Sequence, residues 1–343
     1  MFRPSPITSV FRLIGLFGIG LCLFSCHTNR LDVDVSGVET PTVKVPRFDR
    51  DFFALNAANI SASLPALQAK YPGFADLYIR NILCPRGLND SACVPEIVRF
   101  ISDKDMHKAF EDCETVFPEM DLIEGQLQDV FRHYKYYNPK AKIPQVIAMM
   151  SGFNYGIEMH DSTFSVGLEF YLGGKSPFYD MFRFPIYKRV NMSKEYIVTD
   201  LAHAWMAKSY PNTGRSGTLL NEMIYQGKLL YLVDALMPAE SDTIKIGFTK
   251  KQLDWCTENE GNMWGFLVKN KLLYSNEITD VTKFTGEGPF TTGFVKESPA
   301  RTGVWIGWHI VRKYMENNPN VTFEDLMKES DPQMILSRSK YKP

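Results

Sequence analysis

The hydrophobic period of this chain changes twice, and nothing else in it limits the fold as strongly. From Arg47 to Asn138 apolar residues recur every three or four positions, as in SASLPALQAKYPGFADLYIRNIL (61–83), DKDMHKAFEDCETVF (103–117) and MDLIEGQLQDVFRHYKYY (120–137). In the last of these Leu122, Leu127, Val130 and Phe131 are expected on one helical face. The period then shortens. KIPQVIAMMSGF (142–153) is a short apolar run between turn residues and reads as a buried strand. YGIEMHDSTFSVGLEFYLG (155–173) has Asp161-Ser162 between two β-rich arms and reads as a hairpin. The aromatic, two-proline stretch PFYDMFRFPIYKRVN (177–191) reads as an ordered loop.

After Ser193, a candidate N-cap, the helical period returns and persists. Ile197, Leu201, Ala204 and Trp205 form an apolar stripe, and TLLNEMIYQGKLLYLVDAL (218–236) is a long helix stopped by Pro238. ARTGVWIGWHIVRKYMENN is a further apolar helix, with Arg312 and Lys313 as a basic end suited to the C-terminal dipole. Gly303 and Gly307 in it, four apart, suit close packing against the helix that carries Gln226. The fold class is α+β and mainly helical. A helical part (45–140) and a part (141–343) with a small antiparallel sheet followed by two long helices make one globular domain, 45–343.

The N-terminus sets the location. Arg3 and Arg12 flank LIGLFGIGLCLF (13–24), an apolar run too short to span a bilayer and typical of a secretory signal. It ends in LFSC, which resembles the bacterial lipobox, so residues 1–25 read as a lipoprotein signal peptide and Cys26 as the lipidated (diacylglycerol and palmitate) first residue. Several acyl chains, at about 0.8 kcal/mol per buried methylene, anchor a chain firmly. The polar stretch 26–44 reads as a flexible tether, and the expected location is the cell envelope, facing the periplasm.

The leader carries two of the 38 basic residues and none of the 39 acidic ones, leaving a net charge of −3. With no basic stripe, that argues against a nucleic-acid partner. Cys84 and Cys93 bracket a Pro- and Gly-containing loop. In an exported protein a disulfide between them is expected, with two free thiols as the alternative. The nucleophile elbow GxSxG and a phosphate-binding Walker loop are both missing.

The stretch IVTDLAHAWMAKS (197–209) has the spacing of the zinc-protease signature H-E-x-x-H with only its second histidine. The order small sheet, ligand helix, second acidic helix resembles that of gluzincin metallopeptidases. Overlaid on that pattern, Thr199 replaces the first ligand, Asp200 the base, His203 keeps the second ligand, and Gln226 stands for the third. Hydroxyl and amide groups are poor zinc ligands, so neither metal nor cofactor is expected. Glu222, Glu260, Arg301 and His309 are candidate cleft residues. Arg301 would clamp a carboxylate or phosphate group or else form an interdomain ion pair. Glu258, Asn259 and Glu260 beside Trp255 and Trp264 read either as a glycan- or peptide-binding wall or as a helix junction.

Longer stretches add to this reading: VGLEFYLGGKSPFY (166–179), LLNEMIYQGKLLYLVDALMP (219–238), LDWCTENEGNMWGF (253–266), ESPARTGVWIGWHIVRKYM (297–315) and SRSKYKP (337–343). Through these the chain resembles the gliding-motility lipoprotein GldB family of Bacteroidetes. The resemblance implies a membrane-tethered envelope protein partnered by other envelope or gliding-machinery proteins, on a zincin-like scaffold that has lost its metal ligands and is not an enzyme. Two alternatives stay open: a metal-dependent peptidase or hydrolase with unusual ligands (His203 and Glu222, with Asp200 or Glu260), and a peptide- or glycan-binding module reusing the cleft.

Overall fold

The structure, a computed structural model, describes residues 30–212 and 217–343. The signal peptide, Cys26 with its lipidation, and tether residues 26–29 lie outside the described residues. Of the unit Met1–Val33, the described end carries a Val33 N–H to Leu31 carbonyl bond of 3.1 Å. Residues 34–343 form a separate compact unit.

The centre of this larger unit is a three-stranded sheet, β1 (Gln145–Met149), β2 (Ile157–His160) and β3 (Thr163–Gly167), in the order β1-β3-β2. The Asp161-Ser162 hairpin forms as expected, with β2 antiparallel to β3 and His160 facing Thr163. The sheet is nevertheless mixed, not antiparallel throughout: β1 runs parallel to β3, Val146 opposite Phe164. The loop after β1 reaches across two strand spacings, about 10 Å, and leaves a gap that β3 fills. Glu169 fixes that loop: its Oε1 accepts from the Ser151 and Phe153 N–H groups and from the Ser151 hydroxyl.

β1 is buried on both faces, which is why its sequence is apolar without alternation. Ile147 and Met149 enter a core built by Phe48, Phe52, Tyr78, Ile97 and neighbouring N-terminal residues. Val146 and Ala148 enter a second, larger core with Phe131, Phe164, Leu201 and Trp205. The helices Lys104–Val116 and Asp121–Tyr137 contribute Ala109, Cys113 and Leu127 to that second core. The cores therefore divide at the sheet, whose strand β1 contributes to both. On the Asp121–Tyr137 helix Ile123 is buried and Leu122 is 66% exposed, one step of rotation from the expected face. The end of the expected tether is docked: Gln128 accepts from the Val43 N–H group at 2.9 Å and Lys44 pairs with Glu124 at 2.7 Å.

Cys84 and Cys93 are buried free thiols here, and the expected bridge is not formed. Cys84 Sγ donates to the Gly87 carbonyl at 3.7 Å, and burial first, then neighbouring Cys84, pushes the Cys93 thiol up to about 12. A protonated thiol at that height packs as a small hydrophobe and holds the loop by burial.

The helix with the HExxH-like spacing spans Ile197–Ser209 and is entered through a 3-10 turn, Lys194–Tyr196, which Ser193 precedes. Trp205 pins it against Tyr134, Phe131 and Phe164. The Gln226 helix, Leu219–Leu236, runs through the interior, with only Glu222, Tyr225 and Gln226 less than fully buried. It crosses the helix Thr302–Asn317 backbone to backbone. A Cβ on Gly307 would sit 1.9 Å from the Met223 carbonyl oxygen, and one on Gly227 2.4 Å from Gly307. Arg312 lies within that helix rather than at its end. It donates from Nε and Nη2 to buried Asp234, stacks 3.6 Å from the Trp308 ring and pairs with Asp242. Lys245 (3.1 Å) and Trp308 Nε1 (2.9 Å) complete the ring around Asp234.

Candidate functional site

The Ile197–Ser209 helix turns Asp200 and His203, one turn apart, away from the core and into a cleft of about 480 Å³. Gln226 reaches the same cleft from the interior helix, and Arg301 from the residue just before the helix Thr302–Asn317. Phe170, Tyr171, Tyr187, Tyr196 and Phe248 supply aromatic walls. The volume falls within the usual range for small-ligand sites, and apolar walls with few polar groups are their ordinary composition.

Other expected members lie elsewhere. Thr199 is 1% exposed and turns its hydroxyl to the Met237 sulfur at 3.7 Å. Glu222 accepts from Gln226 and Asn212 and does not line the cleft. Glu260 accepts from Tyr341 at 2.7 Å and pairs with His309 at 3.3 Å beside the C-terminal tail, so neither enters the cleft. Trp264 packs edge-on against Tyr341 and Trp255 lies near Phe294, which places the expected tryptophan wall outside it too. Of the residues singled out in the sequence, four converge: Asp200, His203, Gln226 and Arg301.

Their chemistry follows from their partners. His203 Nε2 lies 3.1 Å from the Lys245 carbonyl. A carbonyl only accepts, so Nε2 carries a proton, and the burial that disfavours a second proton keeps the ring neutral near pH 7. Burial lowers its pKa to about 4. Asp200 receives the Tyr171 hydroxyl at 3.0 Å. Burial raises its pKa to about 7, against the pull of Tyr171 and of the Arg301 charge. Burial likewise lowers Arg301, opposed by Glu287 and Asp200.

This donor set does not fit zinc. A gluzincin-type ion needs two imidazoles and a carboxylate converging on one point. Here the first position is a buried hydroxyl turned elsewhere, the third is an amide, and the one histidine gives its Nε2 proton to the backbone. Among the described residues no group of three or more His, Cys, Asp or Glu side chains is placed to hold a metal ion.

Sequence reading does not find Asn191, Gly247, Phe248 and Glu287, which complete the cleft. The one signal is Gly247 closing the short helix Asp242–Ile246 in the left-handed region, φ 72°. Substitution there would meet Asn191 Nδ2 at 2.5 Å and Arg301 Nη2 at 3.3 Å.

Fold and cleft together define a mainly helical α+β protein with a small mixed sheet and a polar-floored, aromatic-walled cleft. The chain belongs to the family of the gliding motility protein GldB, a lipoprotein family whose profile matches residues 28–343. No curated protein and no solved structure matches it. Among the described residues no helix is long and apolar enough to cross a membrane.

Proposed function

We propose that this GldB-family protein serves gliding motility as a lipoprotein tethered through acyl chains on Cys26. It faces the periplasm, and its cleft binds a partner group without catalysing hydrolysis. The family supplies involvement in gliding motility. The reading of an inert cleft rests on one observation: each position that a zinc peptidase would use is committed to another bond. Thr199 is held by Met237, His203 Nε2 by the Lys245 carbonyl, Asp200 by Tyr171 and Gln226 by Glu222. The scaffold is then a zincin-like one whose polar floor serves recognition. The hydrolase alternative loses Glu222 and Glu260, which do not reach the cleft.

The full-length lipoprotein in detergent, equilibrated with zinc and assayed against a peptide library, tests this. Sub-stoichiometric zinc and no cleavage are expected. One tightly bound zinc per chain together with peptide cleavage lost in His203→Ala would overturn the reading. Cys26→Ala tests the tether, with release of the protein from membranes and loss of gliding expected.

A further inference from the structure

Three cations line the cleft among the described residues, Lys188, Lys245 and Arg301, and two of them are matched to acids. Lys188 pairs with Glu287 at 3.2 Å and Lys245 with Asp234 at 3.1 Å. Arg301 forms no ion pair among the described residues, and its guanidinium makes a single hydrogen bond, from Nη2 to the Ile246 carbonyl. Phe248 lies 5.6 Å beneath it. Its backbone is in the left-handed region, φ 57°, an unfavourable state for a side chain of this size, and the residue lines the cleft. A guanidinium has five donors in a rigid fork, so most of this one's donor capacity remains for the cleft.

Beside it stands a complementary group. Asn191 donates from Nδ2 to the Gly247 carbonyl at 2.9 Å, which fixes the amide's orientation. Asn191 lines the cleft, and its Oδ1 is buried with no hydrogen-bond partner among the described residues. A buried acceptor without a donor is costly and uncommon. Arg301 and Asn191 thus hang on successive peptide carbonyls, Ile246 and Gly247, one offering donors and the other an acceptor.

We propose that the cleft captures the free C-terminus of a peptide, Arg301 taking the terminal carboxylate and Asn191 Oδ1 the N–H of the last residue. In a peptide end these two groups are separated by one Cα, and the Asn191 and Arg301 side chains both lie against Gly247, 2.5 and 3.3 Å from the place a Cβ would take there. The aromatic walls take the last side chains. The carboxylate is favoured over a phosphate because its single charge matches the one cleft cation without an acid partner, whereas the second charge of a dianion would face Glu287, which also lines the cleft. Bidentate pairing of a carboxylate with the guanidinium supplies orientation as well as affinity. This inference rests on the reading of the cleft as a binding site.

The test is calorimetry on the full-length lipoprotein in detergent with the tripeptide alanyl-leucyl-phenylalanine, its C-terminal amide, the acid N-methylated at the last peptide bond, and inorganic phosphate. The acid is expected to bind. Amidation, N-methylation and Arg301→Lys are each expected to weaken it by about tenfold or more, and phosphate is expected not to compete. The two modified peptides need no variant, so the result stands even where Arg301→Lys lowers stability. Equal binding of acid and amide, competition by phosphate, or no binding of the acid up to millimolar concentration overturns the inference. If the acid fails to bind and no peptide is cleaved, the inert-cleft reading survives; if peptides are cleaved, that reading falls instead.

Discussion

At Asp200 burial and a single tyrosine hydroxyl set the protonation state, and the consequence is measurable. Its pKa rises from 3.8 to about 7 on folding, so the folded chain holds the proton more tightly. The stability this gives is complete below the unfolded value and is lost as pH rises through 7. Asp200→Asn mimics the protonated acid and can still accept from Tyr171. Its gain over wild type should grow between pH 4 and 7 and then level off, read as denaturation midpoints; a pH-independent difference would contradict the burial argument. His203 has the opposite sign. Its pKa falls from 6.5 to about 4, so its contribution is present above 6.5 and is lost as pH falls through 4. His203→Gln should flatten the acid side of the profile. The sequence brought both residues to notice by spacing alone. It carried no sign that His203 Nε2 would be spent on a backbone carbonyl, because Lys245 lies 42 residues away in the chain.

Among elements, the crossing of the Gln226 helix with the helix Thr302–Asn317 is the tightest contact. The expectation for Gly307 holds, and Gly227 is its counterpart. Gly307→Ala would press a methyl onto the Met223 backbone and should cost about 1–3 kcal/mol or more, read from the thermal midpoint. Gly265, whose added Cβ would meet nothing within 4 Å, is the control and should tolerate alanine. Asp234→Ala strips Lys245, Arg312 and Trp308 of a shared buried acceptor and should cost about 3–5 kcal/mol by the same measurement. Helix identities were legible because each keeps a 3.6-residue period over several turns. The rotation of the Asp121–Tyr137 helix was not, since Leu122 and Ile123 are both apolar and only neighbouring elements choose between them.

For the whole molecule, Arg47 ties the start of the body to its middle. Its guanidinium contacts Asp49, Glu114 and the Phe117 carbonyl, while Pro46 accepts from the Ala148 N–H beside β1. Arg47→Ala leaves Asp49 buried without its cation and should cost about 3–5 kcal/mol. Because β1 belongs to both cores, a single lowered transition is expected by near- and far-ultraviolet circular dichroism; two separated transitions would show the cores to be independent. Taken alone, the sequence determined the mainly helical class, the one interval of strands and the family, because these depend on local period and on ordered motifs. Tertiary structure alone decided that β1 and β3 run parallel, that the cores divide at the sheet, and which residues floor the cleft. Those outcomes depend on contacts between distant segments: Arg301 meets Ile246 across 55 residues and Asn191 meets Gly247 across 56. No local pattern encodes where such partners will be buried together.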